Sequence, residues 1–430
     1  VKQSFALALV AALLVGLTAC EEQTPSSLDP EPIPVRSVEV ELPWAQFGES
    51  IEVYGGFGSP SELGSMIVAT EFEGALESRA LVRPTDYPLT AVVLDSTGTN
   101  RIDSAFVFIA GRIVARVDTF ATLPEAPVEL SASILDAEWH AGSASWSMAV
   151  DTFENQLQWT EPGAGPVTLL GTAIWDPAAG DSIVWAIDSA AVAAIGSVEG
   201  STSGLRVDMV TPGARLPLRE VALRLDTRPS LNPDTIISLD VPPATQTFIY
   251  SPEPTPTPGR LRVGGAPAWR SIVRMNLPTE LTGPVALCER IGCPFTLTAS
   301  ALNNARLLLT SAAVEDGFHP ADSLFIDTRT VLDESLLPKS PLSTSLSGGL
   351  GIAVSPSIFD GEGGVEVSLP VTPFIQDLLT DDGATPRRSL ALLTTFEPLG
   401  LAWGSFRGPG MVGEPRLRLI LTVADTVVLP

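Results

Sequence analysis

The sequence predicts an all-β protein made of two successive β-sandwich units, and three observations lead there. Glycine (36) and proline (38) punctuate the chain while only 17% of its residues are charged, so it is rich in turns and short of the Glu and Lys that long helices favour. Apolar runs of strand length recur between Gly/Pro clusters, several with period-two alternation. The same landmarks also occur twice in the same order, the mark of a duplicated unit. At 430 residues and 45% hydrophobic content, the chain can bury the cores of two or three domains.

The first landmark is a short strand ending in tyrosine. Ile51-Glu52-Val53-Tyr54 parallels Thr247-Phe248-Ile249-Tyr250, and each leads through a turn-rich loop and a glycine (Gly64, Gly259) to an apolar run ending in Val68 or Val263. Arg79-Ala80-Leu81-Val82-Arg83 then matches Arg270-Ser271-Ile272-Val273-Arg274. Polar turn residues open the next strand at Ile102–Ile109 and at Leu302–Leu309. Val365, Val367, Leu369 and Val371 alternate as a half-buried strand requires, with Ile183, Trp185 and Ile187 as their counterpart. Each of these is followed by a turn or two of helix, Val192 with Ile195 and Ile375 with Leu378, at the i, i+3 spacing of one helical face. Two strands close each copy, Leu205–Met209 and Val221–Leu225 against Leu390–Leu392 and Leu417–Val423. The order divides the chain into a first sandwich over 38–228 and a second over 229–430.

Ahead of both units, Lys2 and the apolar run Phe5–Leu17 have the form of a secretory signal, too short to span a bilayer, which takes roughly 20 apolar residues. Residues 1–19 are read as that signal. The run ends in Leu17-Thr18-Ala19-Cys20, which resembles the bacterial lipobox. The resemblance implies cleavage before Cys20, diacylglycerol on its thiol, and an exported lipoprotein held by acyl chains, at the outer membrane or cell surface where the cell has one. Residues 20–37 then form the lipidated cysteine and a Pro-rich acidic tether with no means of building a core.

In the second copy, RSIVRMNL near the start and VEVSLPVTPFIQDLL, SLALLTT and EPRLRLILTV at the end resemble the DNRLRE-type domains related to archaeal disaggregatase and found in bacterial surface proteins. The likeness covers Ala244 to Val423 and extends more faintly over Gly48 to Asp226, where the close reads REVALRLDT without the proline. It implies jelly-roll-like sandwiches with surface-binding or stalk roles.

The formal net charge of −25 repels phosphate backbones, so nucleic acid is not an expected partner. Two histidines, His140 and His319, leave little material for a His-dependent relay or a multi-histidine metal centre. Cys288 and Cys293 stand close together in LCERIGCPF, and export would let them form a disulfide; two reduced thiols are the other reading. Six of the eight tryptophans lie in the first copy. Trp139, Trp146 and Trp159, flanked by polar residues, would stack on sugar rings if exposed and would be core if buried. Asp360 and Glu362, with Glu366, read first as a solvated acidic turn, and their oxygens on that glycine-rich turn are also of the kind calcium takes. No other cofactor is expected. No nucleophile elbow, phosphate loop or zinc-protease motif occurs. The expected function is therefore a non-catalytic, lipid-anchored envelope protein that serves as a stalk, adhesin or binding module toward polysaccharide or another envelope protein. The alternatives are a carbohydrate-binding lipoprotein serving a separate enzyme, and an enzyme that cleaves polysaccharide through paired carboxylates.

Overall fold

The computed structural model describes residues 35–424 apart from 197–203, 284, 286–287, 290–291, 381–386 and 398–399. The predicted signal (1–19), Cys20 and most of the tether lie outside the described residues.

Two strands, β1 (Val35–Pro43) and β2 (Gly48–Tyr54), flank the single-turn helix α1 (Trp44–Phe47). Next come β3 (Met66–Phe72), β4 (Leu76–Pro84), β5 (Ala91–Leu94), β6 (Asn100–Asp103), β7 (Val107–Val117) and β8 (Val128–Leu135). They lead to β9 (Met148–Asp151), β10 (Gln156–Gln158), β11 (Thr168–Trp175), β12 (Ser182–Asp188), α2 (Ser189–Ile195), β13 (Gly204–Met209) and β14 (Ala214–Arg228). After these run β15 (Ile237–Val241), β16 (Pro243–Ser251), β17 (Arg260–Gly264), β18 (Arg270–Met275), β19 (Glu280–Leu281), β20 (Phe295–Thr296), β21 (Leu302–Thr310) and β22 (Leu324–Thr330). The chain ends with β23 (Ile352–Val354), β24 (Glu366–Pro370), α3 (Thr372–Leu379), β25 (Ser389–Thr394), β26 (Trp403–Arg407) and β27 (Arg416–Ala424). The landmark runs predicted from the sequence fall in strands or short helices, except that Ile102–Ile109 spans the end of β6, a break at 104–106 and the start of β7, and the protein is all-β, built as a sandwich.

Side-chain alternation explains the layering. Along β12, Ile183, Trp185 and Ile187 are buried while the residues between them are exposed. The helix that follows is capped by the Asp188 carboxylate, which accepts from the Ala191 N–H, and it turns Val192 and Ile195 into the same core. In β27, Leu417, Leu419, Leu421 and Val423 point inward while Arg416 and Arg418 face outward.

The hydrogen-bonded order in the first unit is β15-β14-β7-β12 in one layer and β16-β4-β13-β8-β11 in the other, joined because β3 pairs with both β4 and β14. In the second unit it is β1-β27-β21-β24 and β2-β18-β25-β22-β23, with β17 paired to β26. Strand for strand, the two orders are the same. The long β14 performs the task that β26 and β27 divide: its first part pairs with β3, its second with β7, and the register shifts between Leu218 and Glu220.

The pairing departs from the division expected from the sequence. Residues 38–54, expected in the first sandwich, pair with the second: β1 lies on β27 and β2 on β18. Residues 237–251, expected in the second, pair with the first: β15 lies on β14 and β16 on β4. The boundary at 228 therefore cuts through a sheet.

One hydrophobic core runs through both units, from Val68, Ile113 and Leu223 in the first to Val273, Leu307 and Leu419 in the second. A smaller cluster lies on the other face of each five-stranded layer. In the first unit the segment after β8 lays Trp139 and Trp159 over Leu81 and Ile249. In the second, the segment after β22 lays Val331 and Leu342 over Ile272, Ala391 and Leu393.

Candidate functional site: the cleft between the units

At the junction, an aromatic ladder crosses from one unit to the other. Phe248 and Tyr250 of β16 stand 6.1 Å apart, Tyr250 meets Phe318 edge-on at 6.0 Å, and Phe318 stacks on Trp403 at 4.1 Å. Beneath the ladder Arg262, almost fully buried, lies 4.6 Å from the ring centre of Trp403 and pairs with Glu315, whose other oxygen accepts from the Trp403 indole at 3.2 Å. The turn between β3 and β4 is pinned to the second unit by Glu73, whose carboxylate accepts the Gly317 N–H at 2.6 Å. Gly317 adopts a φ of +86°, and a Cβ there would come within 2.7 Å of Leu76, so glycine serves both the turn and the close approach.

Beside this ladder is a cleft of about 170 Å³, lined by Ser65, Thr122 and Arg215 from the first unit and by His319, Asp322 and Leu401 from the second. That is room for one small group rather than the roughly 300–1,000 Å³ of a site enclosing a drug-sized ligand. Arg215 projects from β14 with its guanidinium 4.5 Å from the ring centre of Phe72. Among the described residues no carboxylate lies within ion-pair distance of it, because Glu73, the acid that acts on it, is held by Gly317. Burial pulls the guanidinium below its ordinary pKa, and Glu73 opposes that shift. His319 follows Phe318 directly; among the described residues its Nδ1 has no hydrogen-bond partner, and the Asp360 carboxylate stands 3.9 Å from it. The cleft thus brings together a cation without a carboxylate partner, an imidazole, a carboxylate and hydroxyls on an apolar floor.

The residues singled out from the sequence go elsewhere. Trp139 and Trp159 are 2% and 6% exposed, so neither presents a ring face for stacking. The physical reason is that the segment 136–167 needs its own apolar side chains to cover the outer face of the five-stranded layer. Trp146 is half-buried, with Arg79 at 4.6 Å from its ring centre, and packs on the same cluster. Arg79 also donates to the Gly163 carbonyl and, with Arg206, faces Asp208, whose carboxyl is pushed up by burial against the pull of the two arginines. This buried group fastens the tryptophan segment to the sheet.

Cys288 and Cys293 form a disulfide, with their Cα atoms 4.9 Å apart, in the loop between β19 and β20. Asp360 and Glu362 do not converge on a cation site. The Asp360 carboxylate faces His319, the Glu362 carbonyl accepts from Arg407, and among the described residues no three His, Cys, Asp or Glu side chains are grouped to hold a metal. Glu366 is instead an ion-pair partner of Arg416. His140 bonds Ser143 at 3.0 Å. Of all the candidates, only His319 lines the cleft. Arg215 carried no signal in the sequence, since its role depends on the second unit closing over β14.

No protein-family model matches the chain, and no curated protein does. Among solved structures, the infectious bursal disease virus VP2 subviral particle is similar at 11% identity, covering 92% of this chain and 72% of that one, with a TM-score of 0.14. At that score the likeness carries no argument. Among the described residues no helix is long and apolar enough to cross a membrane.

Proposed function

We propose that the chain is a non-catalytic, lipid-anchored cell-envelope protein that binds an acidic ligand, such as a carboxylate-bearing residue of an envelope polysaccharide, in the cleft between its two units. The anchor rests on Leu17-Thr18-Ala19-Cys20 and the acidic tether, and the tandem jelly-roll reading on the resemblance of the second half to DNRLRE-type domains. The observation that carries the binding role is the unpaired Arg215 guanidinium in a cleft that also offers hydroxyls and an imidazole. A guanidinium recognises a carboxylate with two parallel donors, and Ser65, Thr122 and Asp322 supply partners for sugar hydroxyls.

The test is calorimetric binding of an oligosaccharide carrying a single uronic acid, with a neutral glucan as control, to the chain freed of residues 1–20. A charged hydrogen bond of about 1.5–3 kcal/mol makes the expected loss in Arg215→Gln roughly ten- to a hundredfold, with the melting temperature kept. Equal binding of the neutral glucan, or full affinity in Arg215→Gln, would remove the cleft from the proposal. Loss of membrane attachment in Cys20→Ala, measured in cells, tests the anchor separately.

A further inference from the structure

The two units repeat one strand order, yet each is completed by two strands that the sequence assigns to the other. In the first half the tyrosine strand, Ile51–Tyr54, precedes Arg79–Arg83; in the second, Thr247–Tyr250 precedes Arg270–Arg274. The structure crosses these partners. Ser50 lies opposite Arg274 and Tyr54 opposite Arg270, while Thr247 lies opposite Leu81 and Ser251 opposite Glu77. The strand preceding each tyrosine strand crosses with it, β1 to β27 and β15 to β14.

We infer that the chain is a duplicated sandwich whose copies have reciprocally exchanged their first two strands, so that each unit is closed by its neighbour's leading pair. Charge at one outward position favours the crossed arrangement over the in-order one. On β27 the outward residues Arg416 and Arg418 meet Glu41 at 2.6 Å each, and Arg418 meets Glu39 at 3.1 Å. On β14 the outward residues are Arg224, paired with Asp240 at 2.7 Å, and Asp226, opposite Ser238. Aligning the two ladders on Val40 and Leu239 keeps an opposite-charge pair at one outward position in the uncrossed arrangement, Glu41 against Arg224 and Asp240 against Arg418, but sets Glu39 against Asp226 at the next and puts Ser238 where Glu39 meets Arg418. Like charges directly opposite destabilise a strand pair, so the Glu39 position favours the exchange.

The exchange has two consequences. The first unit is inserted between two strands of the second, and the described ends of the chain, Val35 and Ala424, are paired neighbours on one sheet. An anchor at Cys20 therefore pulls on the second unit, although the first follows it in sequence.

Cysteine pairs in the full chain carrying Cys20→Ser test this. One variant holds Ser50→Cys with Arg274→Cys, a second holds Ser251→Cys with Glu77→Cys, and a third holds Ser50→Cys with Arg83→Cys, the uncrossed counterpart. Protease sites are inserted after Gly64 and after Thr255, both on exposed connections. After mild oxidation and cleavage, the first variant is expected to carry its N-terminal piece on the C-terminal fragment under non-reducing conditions. The second is expected to hold the end of the middle fragment to β4, seen as a cross-linked peptide on digestion. The third should form no bridge. Bridging in the third variant with none in the first would overturn the exchange, and so would failure of both crossed pairs in a chain that melts like the parent.

Discussion

Phe318 is one of the side chains through which the two units hold each other, and truncating it gives the junction a measurable energy. Its ring is 1% exposed, stacked on the fully buried Trp403 at 4.1 Å and edge-on to Tyr250 at 6.0 Å. Phe318→Ala removes a buried aromatic and leaves a cavity bounded by Trp403 and Tyr250, which are themselves held in place. Buried Phe→Ala changes cost about 3–5 kcal/mol, and two aromatic partners place this one near the upper end, at about 4–5 kcal/mol. At about 2.1 cal/mol/K per residue, with both units unfolding together, 1 kcal/mol is worth about 1 °C, so the melting temperature should fall by roughly 5–6 °C. Urea unfolding followed by tryptophan fluorescence, with calorimetry alongside, reads the loss and also shows whether one transition becomes two as the units uncouple. Phe153→Ala, at a side chain that is fully exposed, is the control and should change stability by no more than about 0.5 kcal/mol. A cost below about 1 kcal/mol for Phe318→Ala would show that the ladder does not bind the units together.

Three further outcomes are expected. Trp159→Ala should cost about 3–5 kcal/mol and speed proteolysis within 136–167, because Trp159 is buried and its indole donates to the Ser145 carbonyl at 2.9 Å; glycan binding lost without loosening of that segment would instead restore a stacking role. Asp103 is held below the usual carboxylate range by the Ala105 N–H first, and also by the Ser230 hydroxyl and the Leu231 and Ser230 N–H groups. Since its folded pKa is depressed, its contribution is complete above the unfolded value near 4 and is lost as pH falls through the lower folded value, so amide exchange in β5–β6, corrected for intrinsic rate, should quicken selectively below about pH 4; Asp103→Asn should show that loosening already at pH 7. The bridge between Cys288 and Cys293 closes a small loop, for which chain entropy sets a ceiling of about 2 kcal/mol, so the double Cys→Ser variant should lower the melting temperature by only a few degrees, and a larger fall would mean that this loop supports the core.

The elements were legible because their signals are local. Alternation in Ile183-Val184-Trp185-Ala186-Ile187 fixes which side chains enter the core before any partner strand is known, and the burial follows that parity. Partner choice was not legible in the same way, because Ile51–Tyr54 and Thr247–Tyr250 are near equivalents and both arginine strands offer each of them a similar ladder. What separates them is charge on the adjoining strands, Glu39 against Ser238, and that becomes readable only once the registers are known. The tryptophans were undecided for a related reason. Their polar neighbours are compatible with either exposure or burial, and what decides is that the outer face of β4 is itself apolar at Leu81, so a covering segment has to bring large side chains to it. The cleft was invisible because its polar residues come from β14 and two separate loops of the first unit and from a loop of the second.

The repeated arginine strands show how the duplication has been used. Arg79 and Arg270 hold equivalent places on β4 and β18, with guanidinium groups on the outer face of their layers. Arg270 pairs with Glu397 at 2.7 Å and lies 3.9 Å from the ring centre of Phe57, in the connection leading out of β2. Arg79 faces Asp208 and the ring of Trp146, and so holds the tryptophan segment. Both carboxylates, Glu397 and Asp208, are pushed up by burial, with their arginines opposing the shift. A buried pair of this kind costs desolvation that its attraction only partly offsets, so it is a poor source of stability, but breaking it strands a charge and is severe. The same device therefore fixes position in both units: in the second it fixes the strand connection that the exchange depends on, and in the first it fixes the cover that closes the sheet. The inner faces, where Val82 and Val273 lie in one continuous core, are alike in the two units. The outer faces and the junction differ, and the cleft lies at the junction, between β14 of one unit and the loop after Phe318 of the other.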